Sequence, residues 1–283
     1  MPSSPIYLCS ICNVSSGSCN EDCKFCTQSI KHNADIERYS YKEIPIILEE
    51  AKLQRSRGAT GFCLVTSGKG LNNTKVNFIC EAAKTIKKEI PDFNLIACNG
   101  TATLEQLKTL KQAGINSYNH NLETAEDYYD TICTSHSWQE RFETCLAVNE
   151  AGLNLVSGGI FGLGESDAQR VSFINTLKRL NPKTVPLNFF HPNPALPLKA
   201  EPLHVDEALE LIRWVRSELP NVKLMVAGGR EITFKDRQNE IFTAGANAIV
   251  IGNYLTTKGE DPNKDKQMIE SLGLRLAKNH SDS

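Results

Sequence analysis

With 283 residues the chain has room for one large domain or two small ones, and α/β barrels often reach this size as one domain. Apolar residues at 40% and charged residues at 23% supply a full core and exclude wholesale disorder. A net charge of −2 excludes the basic footprint of a nucleic-acid binder, and Lys84, Lys87 and Lys88 read as one solvated helix face. No apolar run approaches the roughly 18 residues of a membrane span. The first residues lack a signal peptide's basic region and long apolar stretch, so a soluble cytoplasmic protein is expected.

Strands are expected at 6–14, 61–66, 93–99, 115–122, 153–160, 184–190, 222–227 and 248–251. Between them lie amphipathic segments. Ser40 with Glu43, Thr103 with Gln106 and Ser137 with Glu140 each have the spacing of a capping box. Apolar positions at helical spacing follow each box: Ile46, Ile47 and Ala51, then Leu104, Leu107 and Leu110, then Phe142, Leu146 and Val148. Further helices fit about 74–90, 166–180, 205–219 and 235–244. A helix-to-strand join of the form x-Ala-Gly-x-Asn recurs at 112–116, 150–154 and 243–247, with a fainter copy at 57–60. Its glycine supplies a left-handed helix end.

Eight strands alternating with helices imply right-handed parallel crossovers and a single-domain (β/α)8 TIM-type barrel over 1–258, with an open doubly wound sheet as the fallback. The barrel is favoured because Cys98, Asn99, Asn119, Asn121, Asn188 and Arg230 fall at strand C-terminal ends, where barrel sites are built. Residues 259–283 read as a charged C-terminal tail, with Leu272, Leu274 and Leu276 its main apolar positions.

Ten cysteines are too many for an ordinary reduced protein and too scattered for a secreted disulfide scaffold, so some are expected to bind metal. Cys19, Cys23 and Cys26 follow the first strand as CxxxCxFC in a polar loop. Three thiolates in eight residues can grip a cubane cluster and leave one iron open. Structural zinc needs four ligands, and His32, the nearby candidate, stands at an offset that matches no zinc pattern.

The three-cysteine loop resembles the radical S-adenosylmethionine (SAM) superfamily. The resemblance narrows to the biotin synthases through segments 17–28, 61–66, Tyr-Asn-His-Asn-Leu-Glu-Thr at 118–124, 139–141, 157–165, 185–188 and 227–231. It implies a [4Fe–4S] cluster on Cys19, Cys23 and Cys26 that cleaves SAM to a 5′-deoxyadenosyl radical. It also implies an auxiliary [2Fe–2S] or other iron–sulfur cluster that donates sulfur to dethiobiotin, giving biotin. Cys63, Cys98 and Arg230 map to auxiliary ligands, while Val156 stands at a further family cysteine. Cys12 is the preferred replacement, being nearer the end of the first strand, with Cys9 second and a non-protein thiolate or sulfide third; an offset of three puts the two cysteines on opposite faces. Asn119, Asn121 and Asn188 would bind substrate, and Asn121, Glu123, Arg141 and Ile160 would bind SAM. His120, between two asparagines, points to the other face. The resemblance further implies a homodimer served by a flavodoxin or ferredoxin. The competing readings are another radical SAM barrel enzyme and a non-catalytic iron–sulfur or zinc carrier. A carrier has no need for the asparagines, Glu123 or Arg141.

Overall fold

The computed structural model describes residues 4–282. In chain order the elements are β1 (Tyr7–Ser15), α1 (Ile44–Ser56), β2 (Gly61–Thr66), α2 (Asn73–Glu89), β3 (Asn94–Cys98), α3 (Leu104–Gln112) and β4 (Ser117–Asn119). Next come α4 (Glu126–Ile132), α5 (Trp138–Glu150), β5 (Asn154–Val156), β6 (Gly159–Phe161), α6 (Asp167–Leu180), β7 (Thr184–Phe189) and α7 (Val205–Glu218). The chain finishes with β8 (Lys223–Val226), α8 (Arg230–Phe234), α9 (Glu240–Thr243), β9 (Ala248–Val250) and α10 (Pro262–Ser271).

Every strand pairing is parallel, and β1 lies between β2 and β9. The sheet closes because β7 pairs with both β5 and β6. β5 and β6 are two halves of the strand expected at 153–160, so the result is an eight-strand (β/α)8 barrel. The break at Ser157-Gly158 has a steric cause. A Cβ on Gly158 would lie 1.9 Å from the Pro186 carbonyl oxygen, and one on Gly159 would lie 2.3 Å from that of Glu123. The neighbouring backbones come this close only where side chains are absent.

The recurrent joins behave as their glycines imply. Gly114, Gly152 and Gly245 have φ of 104°, 70° and 119°. The asparagines that follow two of them seal the strand entries. Asn116 Oδ1 accepts from Leu95 N at 3.0 Å, and Asn247 Oδ1 accepts from Leu224 N at 2.8 Å.

Capping boxes form at Thr103–Gln106 and Ser137–Glu140. The one expected at Ser40–Glu43 does not form. Pro45 favours a start at Ile44, which puts Glu43 at the N-cap without a side-chain bond. Ile46 and Leu146, read as core positions, are exposed; α5 buries Thr144, Cys145 and Val148. The helix expected at 235–244 is instead a 3₁₀ turn over Lys235–Arg237 followed by the short α9, and Lys235 at φ 50° separates it from α8.

The C-terminal segment is built onto the barrel. Ile6 and Leu276 form a parallel bridge, and Asp265 on α10 is buried against Arg230. None of the described helices is long and apolar enough to cross a membrane.

Candidate active site

The loop carrying the three cysteines leaves the C-terminal end of β1. Its folds are short and local: Cys26 N donates to Cys23 O at 3.0 Å, and Ile30 N donates to Cys19 O at 2.8 Å. Its outer side is pinned to the α4–α5 junction. Asp22 Oδ1 accepts from Thr134 N at 2.9 Å and Ser135 N at 3.0 Å, and Lys24 N donates to Ile132 O at 2.9 Å. Burial acts upward on the Asp22 carboxyl, but the donors from Thr134 and Ser135 outweigh it and hold the pKa well below the usual carboxylate range.

Cys19 and Cys23 are buried and Cys26 is partly so. Burial raises the Cys26 thiol to about 11, with Cys19 and Glu123 adding to the rise and Arg141 opposing it. Thiolates at Cys23 and Cys26 would repel the neighbouring sulfurs, which fits a group that brings positive charge, as iron does. His32 is not a ligand candidate in this arrangement. Its Nε2 faces the Cys23 carbonyl oxygen at 3.0 Å.

The segment after β4 runs beside this loop. Arg141 Nε donates to the Tyr129 hydroxyl at 2.7 Å and Nη1 to Asn121 O at 2.7 Å, with Glu123 Oε1 at 3.7 Å. Burial raises the Glu123 carboxyl, and Arg141 pulls it back. Glu123 has φ 70°, outside the range a side-chain-bearing residue normally adopts. Asn121 Oδ1 accepts from Gly158 N at 3.2 Å and Ile160 N donates to Glu123 O at 2.8 Å. Asn121, Glu123, Arg141 and Ile160 are therefore one connected patch, tied to the strand break by the amides of Gly158 and Ile160.

Asn119 Nδ2 donates to Cys98 Sγ at 3.6 Å, while its Oδ1 is buried with no partner. Asn188 is more fully engaged. Its Nδ2 donates to Gly159 O at 3.0 Å and its Oδ1 accepts from Gly228 N at 2.9 Å. One N–H and one lone pair remain.

Inside the barrel, Cys9, Cys63 and Val156 form one cluster with Val65 and Ile96, and Cys98 and Met225 pack against it. The proximity of Cys98 and burial raise the Cys63 thiol, while Cys63 lowers that of Cys98. Cys12 takes the other face of β1. It lies in the outer core with Ile47 and Ala51 of α1, and burial followed by Glu50 raises its thiol. The preference for Cys12 over Cys9 is thus reversed. Nearness to the strand end mattered less than pleat parity, which sends Cys9 inward. Three thiols gathered in and against one cluster inside the barrel fit an iron–sulfur group. Arg230 fits it less well. It is wholly buried, and both terminal nitrogens bind Asp265 at 2.7 and 2.9 Å, so its guanidinium serves an ion pair. The signal for this was Asp265, hidden in a segment read as a charged tail.

The sequence reading also missed Cys133 and His136. Their positions between α4 and α5 put them against Cys23, with Sγ of Cys133 3.6 Å from Sγ of Cys23. No linear spacing links residues 110 positions apart.

Residues 13–177 match the Radical SAM superfamily, and residues 186–275 match the Biotin and Thiamin Synthesis associated domain. Biotin synthase of Sulfurimonas denitrificans is 58% identical over 96% of this chain and 97% of its own length. Biotin synthase of Aliarcobacter butzleri is 54% identical over 98% of each chain. Among solved structures, methylornithine synthase superposes with a TM-score of 0.81 at 17% identity, covering 96% of this chain and 84% of the other. The FeFe-hydrogenase maturase of Carboxydothermus hydrogenoformans gives 0.82 at 16%, covering 95% and 67%. These two show the barrel fold alone. The chain belongs to the biotin synthases of the radical SAM superfamily, enzymes of biotin synthesis that use a [4Fe–4S] cluster, SAM and an auxiliary iron–sulfur cluster.

Proposed function

We propose that this enzyme converts dethiobiotin to biotin by radical sulfur insertion, with sulfur drawn from an auxiliary cluster inside the barrel. The observation that carries the reading is Asn119. Its Oδ1 is buried without a donor while its Nδ2 rests on the Cys98 sulfur. A buried acceptor left alone costs about 1–3 kcal/mol. A ureido N–H of dethiobiotin would satisfy it and place the substrate beside the thiols that hold the sulfur source.

Cys19, Cys23 and Cys26 would hold the [4Fe–4S] cluster. When bound, that cluster and SAM supply a 5′-deoxyadenosyl radical able to take hydrogen from saturated carbon. Arg141 would offer its guanidinium to the SAM carboxylate, Asn121 and Glu123 would reach the ribose hydroxyls, and Ile160 would pack on the adenine. Asn188 would add its remaining N–H to the substrate's ureido oxygen. Cys9, Cys63 and Cys98 would bind the auxiliary cluster, with Cys9 supplying the thiolate that Val156 cannot. Met225 packs against the cluster that holds Cys9 and Cys63, and both terminal nitrogens of Arg230 are taken by Asp265. This ligand set differs from the arginine-containing one that resemblance implies and needs no arginine. A flavodoxin or ferredoxin would supply electrons to a cytoplasmic homodimer. The ten free cysteines suit that reducing compartment.

The test is an anaerobic incubation with SAM, a low-potential reductant and dethiobiotin, followed by mass spectrometry. Biotin and 5′-deoxyadenosine forming together support the assignment. 5′-Deoxyadenosine without biotin would move the chain to a different small-molecule substrate.

A further inference from the structure

We propose that the cluster-free chain binds one thiophilic divalent cation of the zinc class through Cys23, Cys133 and His136. This site shares only Cys23 with the three-cysteine loop. It needs neither the substrate nor the radical step, so it stands apart from the reading of dethiobiotin as substrate.

The geometry fits such an ion. The ligand atoms of the three residues lie within 4.8 Å of one another, and all three residues are buried. Tetrahedral zinc at about 2.3 Å from sulfur and about 2.0 Å from nitrogen separates two sulfurs by about 3.8 Å, and sulfur from nitrogen by about 3.5 Å. The observed separations are 3.6 Å between Sγ of Cys23 and Sγ of Cys133, and 3.8 Å between Sγ of Cys133 and Nε2 of His136.

His136 is also held as a ligating histidine is held. Its Nδ1 lies 2.7 Å from Glu21 Oε2 and 3.3 Å from Cys133 Sγ; the Glu21 contact fixes the ring, and Nε2, 3.8 Å from the same sulfur, is the nitrogen left for the metal. The frame is in place before any ion arrives. Asp22 accepts from Thr134 N and Ser135 N, so the segment bearing Cys133 and His136 is clamped to the loop bearing Cys23. The cubane asks for three thiolates, and the loop supplies them without Cys133 or His136.

Binding would form two thiolate–metal bonds and one imidazole–metal bond, and release the two thiol protons to solvent. The fourth position stays open to water. Because Cys23 serves both sites, the cation and the cubane exclude one another. An occupied site keeps Cys23 from oxidation until the cluster is assembled, and excess zinc delays that assembly.

The probe is Co²⁺, titrated anaerobically into the cluster-free full chain carrying Cys63→Ala and Cys98→Ala, which leaves Cys9 as the one thiol of the barrel-interior cluster. The expected result is one equivalent with thiolate-to-cobalt charge-transfer absorption. Adding Cys133→Ala or His136→Ala should weaken it at least about tenfold. Adding Cys26→Ala should leave it unchanged. Loss on Cys26→Ala with retention in Cys133→Ala would overturn the proposal, as would no charge-transfer band at all. A second measurement covers misfolded variants. One equivalent of Zn²⁺ should slow iron–sulfide reconstitution in the unmodified chain and not in Cys133→Ser. Equal slowing in both overturns it.

Discussion

Removing the carboxylate of Asp265 strands a charge in the protein interior, and its cost can be worked from the geometry. Arg230 is 0% exposed and Asp265 is 1% exposed. Their bidentate contact at 2.7 and 2.9 Å ties the start of α8 to α10. Breaking a buried pair from one side costs about 3–5 kcal/mol, because the remaining ion keeps its desolvation penalty and loses its partner. Glu231 Oε1 at 3.2 Å from Arg230 Nη2 offers partial compensation, which places Asp265→Ala near about 3 kcal/mol. With a urea dependence of about 3 kcal/mol per molar, the unfolding midpoint should fall by about 1 M. The double change Arg230→Met/Asp265→Leu removes both charges and should recover most of the loss. The control is Lys108→Ala, which breaks an exposed pair with Glu105 and should cost less than about 1 kcal/mol. Urea unfolding followed by circular dichroism on reconstituted protein makes the comparison. If Asp265→Ala moves the midpoint no further than Lys108→Ala, the tail is not held by this pair and the reasoning fails.

Changing Cys19, Cys23 or Cys26 to Ala should abolish 5′-deoxyadenosine formation, since two thiolates cannot hold a cubane with one open iron; near-normal cleavage in any one of them refutes the assignment. In the Cys19/Cys23/Cys26 triple alanine background, Cys9→Ala should remove the residual cluster iron seen by Mössbauer spectroscopy and Cys12→Ala should not; the reverse pattern would return the ligand to the outer face of β1. Asn119→Ala should weaken dethiobiotin binding by about 1–3 kcal/mol while iron content holds, and an unchanged affinity would take Asn119 out of the pocket. Gly158→Ala should destabilise by about 3 kcal/mol or more, because its Cβ would meet the Pro186 carbonyl at 1.9 Å. Burial first, then Arg141 and His136, hold the His120 pKa well below its ordinary value. The unfolded chain therefore takes up a proton near pH 6.5 that the folded chain refuses, and stability drops as pH falls through that point, by about 1.4 kcal/mol between pH 7.5 and 5.5. His120→Asn should abolish that component of the slope in urea midpoints, and an unaltered slope would show that His120 does not titrate this way.

The barrel and the placement of the three-cysteine loop were legible in the order of residues because both are set by local rules. Parallel strands buried on two faces show as apolar runs, helix ends show as capping residues and left-handed glycines, and a cluster loop must carry its thiolates close together in sequence. Gly114, Gly152 and Gly245 each ended a helix where their motif implied, and CxxxCxFC lies in the loop after β1. The same local logic kept Cys9 and Cys12 apart by parity, but parity cannot say which face is inward.

That choice belongs to tertiary structure. Closure of the sheet turns Cys9 toward Cys63 and sends Cys12 under α1. It also brings Asp265 onto Arg230, across 35 residues, and lays Cys133 and His136 against Cys23. These partners share no periodicity and no motif. They meet because the chain returns to the same end of the barrel several times, and a buried charge or thiol there is stable only beside whichever group that return supplies.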